Sequence, residues 1–210
     1  MQVVIPIFDR ITALDAVGPY EVLSRLPDAE IVFAATEPGP KRTENGSLAL
    51  HADRALADVT EPEIVVVPGG LGTRALMHDE PMLDWLRSAH ATSDWTTSVC
   101  TGALLLGAAG MLRGLRATTH WLALDMLGDM GAEPVTERVV EQGKVITAAG
   151  VSAGIDMALR LAAHVAGDET AQAIQLAIEY DPEPPFDAGS PATAPAAVVD
   201  RLRAAGAERA

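Results

Sequence analysis

A single cysteine stands among the 210 residues, and the residues around it are those a nucleophile needs. Trp95-Thr-Thr-Ser-Val-Cys-Thr-Gly102 is a β-branched run that ends in Ser-x-Cys-x-Gly and passes directly into Ala103-Leu-Leu-Leu-Gly-Ala-Ala109. This succession predicts a strand, a sharp turn carrying Cys100, and a helix, the arrangement in which many hydrolases hold a nucleophilic serine. So tight a turn crowds its own backbone and needs small residues two positions to either side, here Ser98 and Gly102. A helix that starts just after the thiol aims amide N–H groups at the sulfur, so a thiolate population above that of a free cysteine is expected. The competing reading is a buried cysteine acting as a small hydrophobe. The elbow context favours the nucleophile.

Other segments carry residues able to assist a thiol. Asp15 lies in Leu14-Asp-Ala-Val-Gly-Pro19, just after the first apolar run, where an aspartate either caps a helix or, placed beside a thiol, shuttles a proton. Glu21 does not share its helical face. His120, twenty residues after the thiol, could be the base of a Cys–His pair, but Leu122 stands at the +2 position where an orienting acid would be. Pro68-Gly-Gly-Leu-Gly72 lacks both the Lys-Ser/Thr of a P-loop and the full G-x-G-x-x-G spacing. It reads either as a plain turn or as an oxyanion hole in which the amides of Gly70 and Leu71 face the substrate. His51, His78, His90 and His164 are assigned no role, and the five histidines show no metal-ligand spacing, so no metal site is expected.

These residues are far apart in sequence and need a scaffold that gathers them. Gln2–Phe8 reads as a first strand, Leu14–Leu26 as a helix and Glu30–Ala35 as a second strand, with a hairpin over Lys41–Leu50 around Asn45-Gly46. Glu63–Val67 is continuously apolar, as a parallel strand covered on both faces must be. A helix over Pro81–Ala91 and the elbow strand Asp94–Val99 follow. A short strand Arg116–Thr119, a helix from His120, a hairpin over Val135–Ala148 and helices over Ala153–Ala166 and Glu169–Tyr180 complete the pattern. Alternating strands and helices predict an α/β fold with a single doubly wound, mostly parallel sheet sandwiched by helices, flavodoxin-like in layout, with sites at the carboxyl ends of the strands. Residues 181–195 are rich in Pro, Gly, Ser and Ala, and a short amphipathic segment Ala196–Ala205 follows. The expectation is one domain over 1–210 with 181–210 as a C-terminal arm and short helix.

The 15 Lys and Arg against 29 Asp and Glu give a net charge of −14, which repels nucleic acid and anionic membranes. One cysteine makes no internal disulfide, no basic-then-apolar leader opens the chain, and the apolar stretch Ala103–Leu112 is broken by glycines, so a cytoplasmic protein is expected. The Ala-rich helical faces offer more apolar surface than one sheet covers, which suggests a homodimer.

The cysteine elbow, the preceding Pro-Gly-Gly turn and the acid after the first strand together resemble the class I glutamine-amidotransferase-like superfamily, which includes intracellular-protease-like and protein-deglycase enzymes. Within it, Leu14-Asp-x-x-Gly-Pro19, Ile64–Gly70, Ser98-Val-Cys-Thr-Gly102, Gly107-Ala-Ala-Gly-x-Leu-x-Gly114, Arg116-Ala-Thr-Thr-His-Trp121, Gly154-Ile-Asp156, Gln175-Leu-x-x-Glu-Tyr180 and Pro184-Pro-Phe-x-x-Gly-Ser190 are similar to the bacterial isocyanide hydratases. The resemblance implies Cys100 as nucleophile, Asp15 as proton donor and acceptor, and Thr101 beside them; Gly70, Leu71, His120 and Trp121 are expected on the substrate side. It implies hydration of an isocyanide to a formamide through a thioimidate on Cys100, without metal or cofactor, in a homodimer. The His-x-Glu pair of the superfamily's glutaminases is absent at His120-Trp-Leu122. Two other readings stand beside this one. The first is a glyoxalase, deglycase or amidase of the same fold; the second is a non-catalytic redox or ligand-sensing module. The amidase-like domains of AraC-type regulators share Cys-Thr-Gly and Thr-Thr-His-Trp, but continue into a helix-turn-helix domain where this chain carries Pro184–Pro195.

Overall fold

The computed structural model describes residues 1–207. β1 (Gln2–Pro6), α1 (Ala13–Leu23) and β2 (Glu30–Ala35) come first. An antiparallel hairpin of β3 (Gly39–Arg42) and β4 (Ala49–Ala52), the two-residue β5 (Arg54–Ala55) and β6 (Ile64–Val67) follow. A single helical turn, α2 (Thr73–Leu76), and α3 (Glu80–Thr92) lead into β7 (Trp95–Val99) and α4 (Gly102–Ala108). Next come β8 (Arg116–Ala117), α5 (Leu124–Asp129) and β9 (Glu133–Pro134), with β8 and β9 paired in parallel apart from the main sheet. The hairpin of β10 (Val139–Gln142) and β11 (Val145–Ala148) precedes α6 (Ala153–Ala166) and α7 (Asp168–Ala177), and α8 (Ala196–Ala207) is the last described element.

Seven strands form the central sheet in the order β10-β11-β7-β6-β1-β2-β5, and every pairing is parallel except β10 with β11. All four residues of β6 and four of the five in β1 are buried, as strands with helices on both faces require. α1 packs on α6 and α6 on α7, while α4 packs against α3 and α5. Strand order reverses between β1 and β6. The chain runs from β1 outward through β2 to β5, then returns to β6 and builds outward through β7 and β11, so the switch point lies at the ends of β1 and β6.

The α/β expectation holds, with local differences. α1 stops at Leu23 rather than Leu26, in keeping with the bias of a residue before proline, here Leu26 before Pro27, away from helical geometry. The strand expected over 116–119 ends at Ala117. Thr118 N–H leaves the ladder for Thr147 Oγ1 (2.9 Å) and Thr119 turns its hydroxyl to Cys100 O (2.8 Å). From His120 the chain makes a 3₁₀ turn over Trp121–Ala123 before α5 begins. α7 ends at Ala177 rather than Tyr180, and Glu179 takes a left-handed φ of 48°. The contacts divide the chain into Met1–Ile178, which holds the sheet, and a second unit beginning at Glu179. No helix among the described residues is long and apolar enough to cross a membrane.

Candidate active site

β7 ends at Val99 and the next residue bends sharply: Cys100 has φ 55°, a left-handed conformation costing a non-glycine residue on the order of 1–2 kcal/mol. Neighbouring groups hold it there. Its N–H faces Ala148 O (3.1 Å) and Ala149 O (2.9 Å) at the end of β11, and its carbonyl accepts from Thr119 Oγ1 (2.8 Å). The small neighbours are needed as expected. A Cβ on Gly102 would lie 2.1 Å from Val67 O, and Ser98 is fully buried with no hydrogen-bond partner for its hydroxyl among the described residues.

Asp15 comes from α1, whose cap residue is Thr12. Its carboxyl does not cap its own helix: Oδ2 accepts from Gly69 N–H (2.9 Å), in the turn after β6, while Thr12 N–H donates to Gly69 O (2.9 Å). The side chain is completely buried, and Oδ1 has no hydrogen-bond partner among the described residues. The two turns and the acid are pressed together. A Cβ on Gly69 would lie 2.5 Å from Thr101 N and 2.9 Å from Asp15 Oδ2.

The carboxyl and the thiol each shape the other's hold on its proton. Burial pushes Asp15 up to about 7, against the pull of the Gly69 N–H and the thiol, and Glu44 pushes further in the same direction. Burial also pushes the Cys100 thiol well above its ordinary value, with the Asp15 charge adding to the effect. The expected resting thiolate is therefore not favoured: the amides of Thr101 and Val151 pull the thiol toward ionisation, but desolvation and a neighbouring carboxylate outweigh them.

Thr101 joins the elbow to the glycine turn. Its hydroxyl accepts from Gly70 N–H (2.9 Å) and donates to Gly70 O (3.2 Å). This corrects half of the expected oxyanion hole, because the Gly70 amide is taken by Thr101 and is not presented to substrate. The neighbouring Leu71 N–H has no acceptor among the described residues. Val151, just past β11, is the contributor that sequence reasoning missed. Its signal was present as a third apolar strand passing through a glycine, Ala148-Ala-Gly150, into a helix.

His120 lies over that same loop, since a Cβ on Gly150 would sit 3.0 Å from its Cδ2. Its Nδ1 accepts from Leu122 N–H (3.3 Å), so the backbone occupies the nitrogen that an orienting acid would have taken and Nε2 carries the proton. Burial and then Arg74 push its pKa down, with Glu44 acting against them, so the ring is neutral at pH 7. Trp121 packs beside it, ring centroids 5.9 Å apart. No hydrogen bond links His120 to Cys100. Glu44 and Arg74 approach from the β3–β4 turn and from α2, and nothing in the sequence pattern marked them.

The carboxyl ends of four adjacent strands thus bring together Val151 (β11), Cys100 and Thr101 (β7), Gly69 to Leu71 (β6) and Asp15 (β1). The pattern of the DJ-1/PfpI family matches residues 1–164. The chain belongs to that family. Across 203 residues it is 47% identical to an isonitrile hydratase of Pseudomonas putida, covering 97% of this chain and 89% of that protein. The crystal structure of a ThiJ/PfpI family protein from Pseudomonas syringae superposes with a TM-score of 0.95 at 37% identity, covering 99% of this chain and 86% of that one. The transcriptional regulator CdhR of Pseudomonas aeruginosa is 30% identical over 80% of this chain, but only 50% of its own length is covered.

Proposed function

We propose that this DJ-1/PfpI family member hydrates isocyanides to N-substituted formamides, with Cys100 as nucleophile and Asp15 as proton carrier. The observation that carries the reading is the buried pair of Asp15 and Cys100 without a histidine relay. The near full-length similarity to an isonitrile hydratase supports it, isonitrile and isocyanide being names for one functional group.

An isocyanide is electrophilic at its terminal carbon. The pair enters the reaction as carboxylate and thiol. Asp15 takes the thiol proton while the sulfur bonds to that carbon, then delivers the proton to the same carbon, giving R–N=CH–S–Cys100. Asp15 is again ionised. It removes a proton from water as the oxygen adds to the thioimidate carbon and passes that proton to the nitrogen. The tetrahedral adduct R–NH–CH(OH)–S–Cys100 then breaks its C–S bond, the hydroxyl proton returns to the sulfur through Asp15, and R–NH–CHO leaves. Charge developing on the sulfur is stabilised by the Thr101 and Val151 amides, which favour its ionised form. Thr101 holds the glycine turn so that Leu71 N–H can face the substrate, and we assign His120 and Trp121 to the wall of its binding site.

We further propose that the protein works as a cytoplasmic homodimer with each site close to the interface. The single thiol suits a reducing compartment, and the exposed Leu14, Leu48 and Leu122 give apolar surface for a second copy. Sedimentation as a monomer at micromolar concentration would remove the dimer. The function is tested by incubating the protein with an aromatic isocyanide and following formamide formation. Turnover is expected, and consumption of methylglyoxal with no formamide from any isocyanide would move the site to the glyoxalase reading.

A further inference from the structure

We infer that Thr119 is a positioning residue for Cys100: its buried hydroxyl fixes the peptide plane between Cys100 and Thr101 and thereby keeps Thr101 N–H on the sulfur. The proposal rests on Cys100 being the nucleophile, and it does not depend on the electrophile being an isocyanide. No peptide bond among the described residues is cis, and in a rigid trans peptide the C=O and N–H point in opposite directions, so holding one end sets the other. At one end of this plane the Cys100 carbonyl accepts from Thr119 Oγ1 at 2.8 Å, and at the other the Thr101 N–H favours the ionised sulfur of Cys100. The remaining donor to that carbonyl, Ala103 N–H, is at 3.4 Å, the long limit for a hydrogen bond. Without the hydroxyl, the plane can swing toward Ala103 and carry the Thr101 amide off the sulfur.

Thr119 is suited to this role because its own segment is anchored elsewhere. The preceding Thr118 N–H donates to Thr147 Oγ1 (2.9 Å) on β11, whose Thr147 lies beside Ser98 of β7. The elbow is thus tied to a neighbouring strand by a brace that does not pass through β7. A left-handed non-glycine residue persists only when its surroundings over-determine it, and this brace is one of the determinants.

The test compares wild type with Thr119→Val, which keeps the shape and loses the donor, and Thr119→Ser, which keeps the donor. Because the chain has one cysteine, alkylation by iodoacetamide reports Cys100 alone. Thr119→Val is expected to move the alkylation profile to higher pH by about one unit, slowing reaction at a fixed pH below the pKa about tenfold. It should lower kcat by a similar factor with KM within about twofold, and Thr119→Ser should restore both. If Thr119→Val does not fold, the smaller Thr119→Ala replaces it in the same comparison. A purely structural hydroxyl would lower the melting temperature and leave the alkylation profile in place; that result, or a Thr119→Ser profile displaced as far as the hydroxyl-free variant's, overturns the proposal. A wild type that makes no formamide sinks the hydratase reading and leaves this comparison intact.

Discussion

At its amino end β7 buries Thr96 inside a network of hydrogen bonds. The Thr96 hydroxyl bonds both His90 Nδ1 (2.8 Å) and Ser93 Oγ (3.0 Å), and Lys144 Nζ donates to Ser93 O (2.9 Å) and to His90 O. Two residues further on, Ser98 is buried as deeply with no partner for its hydroxyl among the described residues, and beyond it Cys100 is left-handed near a carboxyl one of whose oxygens has none among them either. One strand therefore has a saturated end and an unsaturated one. Buried polar groups are normally paired because an unmet one costs about 1–3 kcal/mol, so those left unmet, together with backbone strain, mark where a fold keeps groups free for chemistry. The amino end holds β7 against its neighbours; the carboxyl end holds reactive groups under strain.

The largest expected effects break the unsaturated end. Cys100→Ala should abolish turnover and form no adduct. Asp15→Asn should cut turnover by roughly two or more orders of magnitude, the scale of losing a general acid–base group, with intact-mass analysis showing whether a substrate adduct accumulates on Cys100. A fully active Asp15→Asn would remove the mechanism.

Changing pH probes the same pair more gently. Since the scheme starts from ionised Asp15, kcat/KM should rise with pH through a limb near 7, where burial holds that carboxyl. The same shift has a stability sign. Asp15 in the folded chain holds its proton up to about 7, whereas the unfolded chain releases it near the ordinary value of 3.8, so its contribution to stability is present at low pH and is lost as pH rises between those values. Asp15→Asn should therefore gain stability relative to wild type across that interval, as read by urea unfolding at several pH values. A constant difference would contradict the burial of the charge.

Breaking the saturated end should do the reverse. Thr96→Val strands both His90 and Ser93, and should cost about 1–3 kcal/mol in denaturant midpoint with turnover within about twofold. The smallest effect is expected at Ser98→Ala, which deletes a hydroxyl with no partner among the described residues, so stability should stay within about 1 kcal/mol of wild type or rise. A larger loss than that of Thr96→Val would reverse the contrast between the two ends.

The residues most legible in the sequence were those governed by local sterics. The elbow at Cys100 follows from small residues on either side of a strand–helix junction, and the alternation of apolar strands with helices set the parallel sheet and therefore the end of it where the site lies. Asp15 was legible as a candidate because it follows the first strand, although its use as a cap was equally open. Its bond to Gly69, the occupation of the Gly70 amide by Thr101, the Val151 amide on the sulfur and the influence of Glu44 and Arg74 depend on turns that lie far apart in the chain and meet only through strand order. The same holds for charge. Residue type and a following helix predicted a thiolate, whereas the folded chain favours a neutral thiol and raises Asp15 to about 7. By itself the sequence determined which side chains could react and at which edge of the sheet they gather. The tertiary structure decided which of them holds the proton, because desolvation and the nearness of a second charge are properties of packing.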